Sequence, residues 1–269
     1  MNHVRQLASR LIPLLCLTLQ AGCNGRSGPT LPGGTATYVF RGAVVKDANR
    51  NGTVSVVGAV TDDTTVSTTI LAFAGDTLDF NDPAFQFFAG IDSVFSHLQT
   101  PVTSLPAGQY RLFFTDPGGQ RDSIMTAVSD TFSIISMDPP NHLLQGLDQV
   151  TVDWSPTTNV TGYILAAVKE TLPYTGKGYS AVVSSGINSG TIPPEAFALA
   201  GVNTPDTGLY NIYVYAYFGA PDSLLVHRLL PTPFPLQPAD NIDREVISGR
   251  FGTITVTKRD TLRVMLLNN

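Results

Sequence analysis

The chain has 269 residues, 43% hydrophobic and 14% charged. It is long enough for two domains of ordinary size and apolar enough to bury cores, which excludes a disordered polyelectrolyte. A formal charge of −5 gives no basic footprint for nucleic acid. Glu occurs only at Glu170, Glu195 and Glu245, and Lys only at Lys46, Lys169, Lys177 and Lys258, whereas Gly, Pro, Thr, Ser and Asp are plentiful. That mixture punctuates short strands with tight turns and points to an all-β chain.

At the start, Arg5 and Arg10 carry positive charge, no acidic residue precedes Asp47, and Leu11 to Leu19 form an apolar run. The run is too short for a bilayer-spanning helix, which needs roughly 20 residues, and reads as the core of a signal peptide over residues 1–22. Leu19-Gln20-Ala21-Gly22-Cys23 then resembles the lipobox of bacterial lipoproteins. The resemblance implies that Cys23 is acylated, as by palmitate, and becomes the mature N-terminus. Cys16 would leave with the leader, so Cys23 has no partner for a disulfide despite an exported address. Asn24, where an inner-membrane retention signal would have Asp, is similar to the outer-membrane pattern of diderm bacteria. The expected address is therefore extracytoplasmic, lipid-anchored at the outer membrane, with residues 23–34 as the lipidated Cys and a Gly-rich flexible tether.

From residue 35 to 136 the chain reads as a first β-sandwich domain, in which Tyr38, Phe40, Val56, Ala59, Leu71, Phe73, Tyr110, Leu112, Phe114, Phe132 and Ile134 sit in short apolar runs between turns. Asp47-Ala48-Asn49-Arg50-Asn51-Gly52 places oxygen-bearing side chains at positions one, three and five with Gly at six, the pattern of a calcium loop. The chelating acid expected at position twelve is replaced by Gly58. Asp47, Asn49 and Asn51 are thus weak calcium candidates, and the competing reading is a hairpin tip turned by Asn51-Gly52. Asp82-Pro83-Ala84-Phe85 is expected to open a short helix.

The second domain, residues 137–269, follows the Pro-rich joint Asp138-Pro139-Pro140-Asn141. Val150-Thr151-Val152-Asp153-Trp154 followed by Gly162-Tyr163-Ile164-Leu165 resembles strands B and C of a fibronectin type III or immunoglobulin-like domain, with Trp154 at the core position. Thr207-Gly208-Leu209-Tyr210-Asn211-Ile212-Tyr213-Val214-Tyr215-Ala216 is similar to the F strand of that family, with Tyr210 as its tyrosine corner. Two tandem β-sandwich domains after a signal peptide and tether are therefore expected. Thr191 to Gly201 reads as a short helical turn, Phe218 to Ser248 as a long insertion between strands F and G, and Gly176-Lys177-Gly178-Tyr179-Ser180-Ala181 as a turn.

No nucleophile or zinc motif occurs, and His97, His142 and His227 are each isolated from metal-ligand spacing. Asp76, Asp79 and Asp82 read as solvated turn residues. The remaining candidate site is an aromatic row: Tyr213, Tyr215 and Tyr217 alternate with Ile212, Val214 and Ala216 and so point to the opposite face of their strand, where rings can bind a glycan or an envelope protein. Packing beneath the Pro-rich segment 231–238 is the competing reading. The sequence supports a lipid-anchored binding or scaffolding protein, no enzyme and no cofactor. An accessory or catalytic module of an extracytoplasmic hydrolase system is one alternative, and a structural spacer without ligand is another.

Overall fold

Period-two burial is clearest at Val150–Trp154, where Val150, Val152 and Trp154 are buried and the residues between them half-buried. The computed structural model describes residues 38–50, 53–61, 70–74, 76–77, 93–100, 105–116, 118–170, 178–230, 235, 238–244 and 246–267. Its strands in the first half are β1 (Tyr38–Asp47), β2 (Thr53–Thr61), β3 (Ile70–Phe73), β4 (Asp76–Thr77), β5 (Ser93–Thr100), β6 (Gly108–Thr115) and β7 (Arg121–Val128). There follow β8 (Ile134–Asp138), β9 (Leu143–Gln145), β10 (Val150–Trp154), β11 (Gly162–Lys169), β12 (Gly178–Ser184), β13 (Ser189–Ile192) and β14 (Gly208–Gly219). Helix α1 (Ser223–Leu229) precedes β15 (Ile242–Asp243), β16 (Ile247–Val256) and β17 (Asp260–Met265). The chain is all-β apart from α1 and two short 3-10 turns among the described residues.

One long sheet runs β12-β11-β14-β16-β1-β2-β5, with β15 on β16, β17 on β14 and β9 on β17. Two smaller sheets, β4-β3-β6-β7 and β13-β10-β8, pack on one of its faces. The first closes a core in which Phe40, Val44 and Phe251 of the long sheet meet Leu71, Phe73, Leu112, Phe114 and Ile124. The second closes a core in which Tyr163, Leu165, Ile212 and Val214 meet Val150, Val152, Trp154 and Ile192. Each is a sandwich, with the layers held by side chains that alternate inward along every strand.

The expected boundary between residues 136 and 137 does not divide the ladder. β1 pairs β16 in parallel over ten register positions, from Tyr38 opposite Ile247 to Asp47 opposite Val256. The two cores therefore share one sheet, and Thr35–Asn269 forms one compact unit. Gly249 makes the contact possible. Its φ is +121°, and a Cβ there would stand 2.0 Å from the Phe40 carbonyl oxygen.

Trp154 is buried in the second core, its ring 5.4 Å from that of Tyr163. The Tyr210 hydroxyl donates to the Asp206 carbonyl at 3.1 Å, which makes the corner that the fibronectin-like pattern implies. The first core has the same device: Tyr110 donates to the Pro106 carbonyl at 2.8 Å. Both tyrosines stand in a Gly-x-Tyr run, Gly108-Gln109-Tyr110 and Gly208-Leu209-Tyr210, and both bond four residues upstream.

Pro194–Phe197 is a 3-10 turn, as the run from Thr191 to Gly201 suggests. The segment Gly178 to Ala181, read as a turn, is the start of β12, because its backbone continues the ladder opposite Val168 to Leu165. The insertion after β14 contains α1, capped by Asp222, whose Oδ1 accepts from the N–H groups of Leu224 and Leu225 at 3.0 and 3.1 Å.

Candidate binding face

Tyr213, Tyr215 and Tyr217 do point away from Ile212, Val214 and Ala216, but they are buried, at 7%, 1% and 8% exposure. They belong to a third apolar cluster on the other face of the long sheet, with Ile164, Ala166, Ile254 and Val256, and with Val226 and Leu230 from α1 and its C-terminal end. β14 lies inside the sheet between β11 and β16, so its second face is covered as well as its first. The rings pack on neighbours: Tyr213 and Tyr215 stack with centroids 5.8 Å apart, and Tyr217 lies over Gly162, where a Cβ would come within 2.8 Å of the phenolic oxygen. Burial raises the pKa of Tyr213, against the opposing effect of Arg259, and burial raises that of Tyr217. The aromatic row expected as a platform is a packing layer.

The Asp47 loop is likewise built for bracing. Asp47 Oδ1 accepts from the backbone N–H of Asn49 at 2.8 Å and from its Nδ2 at 3.0 Å. Asp47 Oδ2 faces Arg50 Nε at 3.5 Å. Asn49 Nδ2 also donates to the Thr257 carbonyl at 2.9 Å, and Asn49 Oδ1 accepts from Arg259 N–H at 2.7 Å. The amide thus ties the hairpin tip to the turn between β16 and β17. At Asp47 the Arg50 guanidinium thus stands on one carboxylate oxygen and the Asn49 N–H groups on the other, and Asn49 Oδ1 is taken by Arg259 N–H. Asn51 lies outside the described residues, as do Cys23, Asp79 and Asp82.

Of the histidines, His142 places Nδ1 3.1 Å from the Thr261 carbonyl oxygen and 3.3 Å from Asp260 Oδ1. This contact links β9 to β17 beside their parallel pairing.

An exposed aromatic does stand on the outer face of the β4-β3-β6-β7 sheet. Along β6, Leu112 and Phe114 are buried, while Gln109, Arg111 and Phe113 are exposed. Phe113 is 49% exposed, because its cross-strand neighbours are small: Ala72 on β3 and Ser123 on β7. Arg111 stands opposite Met125, which is 45% exposed. Arg121, at the start of β7, is exposed on the same face. The resulting surface has a phenyl ring at its centre, a thioether beside it and a guanidinium toward each end. Sequence alternation contains this signal, since a strand that turns Tyr110, Leu112 and Phe114 inward must turn Arg111 and Phe113 outward.

No protein-family model matches the chain, and no curated protein matches it. Solved structures similar to it include the FN1–FN3 domains of chicken CNTN1, at 11% identity over 84% of this chain and 67% of that one, with a TM-score of 0.29. A cytokine receptor complex matches at 13% identity over 77% of this chain and 90% of that one, with a TM-score of 0.26. Dimeric latent PorU from Porphyromonas gingivalis matches at 12% identity over 81% of this chain and 19% of that one, with a TM-score of 0.23. None of these likenesses assigns a role to a residue.

Proposed function

We propose that this chain is a lipid-anchored, envelope-exposed binding or scaffolding protein, held to a bacterial outer membrane through Cys23 and presenting the outer face of its β4-β3-β6-β7 sheet to a partner. The observation that carries the binding part is Phe113. A large apolar ring left half in water, between Ala72 and Ser123 and beside an equally open Met125, contributes nothing to the core beneath it. Aromatic, Met and Arg side chains gathered in this way are the composition of interface centres. The lipid anchor rests on the lipobox-like run ending at Cys23.

Site-specific photo-crosslinking in cells tests the reading. With p-benzoylphenylalanine in place of Phe113, the full chain should form an adduct with another envelope component. The same group at Ile135, which is 68% exposed on β8 outside this face, should not. Equal adducts at both positions, or none at 113, would leave the spacer. For the anchor, Cys23→Ser should move the chain from the membrane fraction to the soluble fraction or leave an uncleaved precursor. A Cys23 thiol found unacylated in the native protein would contradict it.

A further inference from the structure

The arrangement of charge on the same face narrows the class of partner, on the reading above that this face binds. On β6 and β7 the outward positions are Gln109, Arg111, Phe113 and Thr115, and Arg121, Ser123 and Met125. Two are arginines and none is acidic. Asp122 alternates away from this set and accepts from the Ser123 N–H through Oδ1 at 2.8 Å. Neither Arg111 nor Arg121 has an acidic partner among the described residues, although other arginines of the chain do: Arg250 meets Asp240 at 2.9 Å and Asp222 at 3.9 Å. Arg111 stands level with Met125 and Arg121 level with Thr115. The Cα atoms of the two arginines are therefore four residues apart along the strands, roughly 14 Å, with Phe113 between them.

In a chain of net charge −5, the acid-free outward positions of β6 and β7, with two arginines that have no acidic partner among the described residues around an open phenyl ring, are complementary to carboxylates flanking an apolar side chain. We infer that the face takes an acidic segment of another protein, one apolar or aromatic residue resting on Phe113 and Met125 with carboxylates reaching Arg111 and Arg121. Three observations favour a protein over other anions. Met125 offers a thioether that adapts to side chains, and a sugar platform needs several ring faces where this surface has one. Two guanidinia are too few for a nucleic-acid backbone, whose binding rests on neutralising many phosphates.

The probes are a random glutamate–tyrosine copolymer, alginate as an acidic glycan and neutral dextran, each immobilised and tested with the mature chain. The copolymer should bind and the binding should weaken with rising salt, since the contact is partly electrostatic. The double variant Arg111→Glu/Arg121→Glu should weaken it at least about tenfold, and Phe113→Thr about fivefold or more. Arg263→Glu, on β17 away from this face, should bind as the wild type does. Failure of the wild-type chain to bind the copolymer, or binding that the double variant retains, overturns the inference. Binding to alginate that depends on Arg111, Arg121 and Phe113, in preference to the copolymer, overturns the protein partner but keeps the face as a binding surface. A photo-adduct at position 113 without any charge dependence would likewise separate failure of this inference from failure of the proposed function.

Discussion

The Tyr210 hydroxyl shows how one side chain serves both local geometry and pH response. It donates to the Asp206 carbonyl while its ring meets Phe197 edge-on at 5.2 Å. Burial first, then the Asp206 carboxylate and the hydrogen bond, raise its pKa well above the ordinary 10.0. The folded state keeps the phenol neutral where the unfolded chain would already ionise it. This stabilising contribution is complete below pH 10 and is lost as pH climbs from there toward the folded-state value. Tyr210→Phe should cost about 1 kcal/mol at pH 7 through the lost hydrogen bond, and should flatten the fall of stability above pH 10. Denaturant midpoints at pH 7 and through the alkaline range check both, and an unchanged alkaline slope would remove Tyr210 from the cause. Lys46 acts in the opposite sense. Burial lowers its pKa against the raising effect of Asp130, its ammonium donating to the Leu105 carbonyl at 2.9 Å, so its own contribution grows as pH rises toward the usual 10.5.

Elements differ in how far local sequence reveals them. β10 and β14 were legible, because Val150, Val152 and Trp154, and Tyr210, Ile212, Val214 and Ala216, each mark one buried face by alternation alone. The fate of the other face of β14 was not. Alternation says that Tyr213, Tyr215 and Tyr217 point the opposite way, but whether that side meets water depends on the strand's place inside the sheet and on Val226 of a helix that begins several residues later. The parallel pairing of β1 with β16 was illegible for a related reason: its partners are about 200 residues apart, and a parallel ladder leaves no turn signature in the sequence. Only Gly249 marks it, and only after the fold is seen. Gly249→Ala sets a methyl against the Phe40 carbonyl and forces an L side chain into positive φ. It should destabilise the chain by at least about 3 kcal/mol, measured by urea unfolding. A loss under about 1 kcal/mol would mean that β1 does not hold this register.

At the scale of the molecule, the long sheet is common to both cores and joins them in one support. The outer face of β6 and β7 is held by inward Leu112, Phe114 and Ile124, which pack on Phe40 and Phe251 of the long sheet. Such a face is fixed in shape before any partner arrives, which lowers the entropy cost of binding. It is also what separates a binding residue from a structural one. Phe113 should be dispensable for folding, whereas Phe114, its buried neighbour, should not. Calorimetric unfolding of the mature chain carrying Phe113→Thr, a change that keeps strand propensity, tests this most directly. A single transition like that of the wild type is expected, with a stability difference under about 1 kcal/mol. A loss of about 3 kcal/mol or more, the cost of truncating a buried aromatic, would place Phe113 in a core and leave the outer face without a binding role.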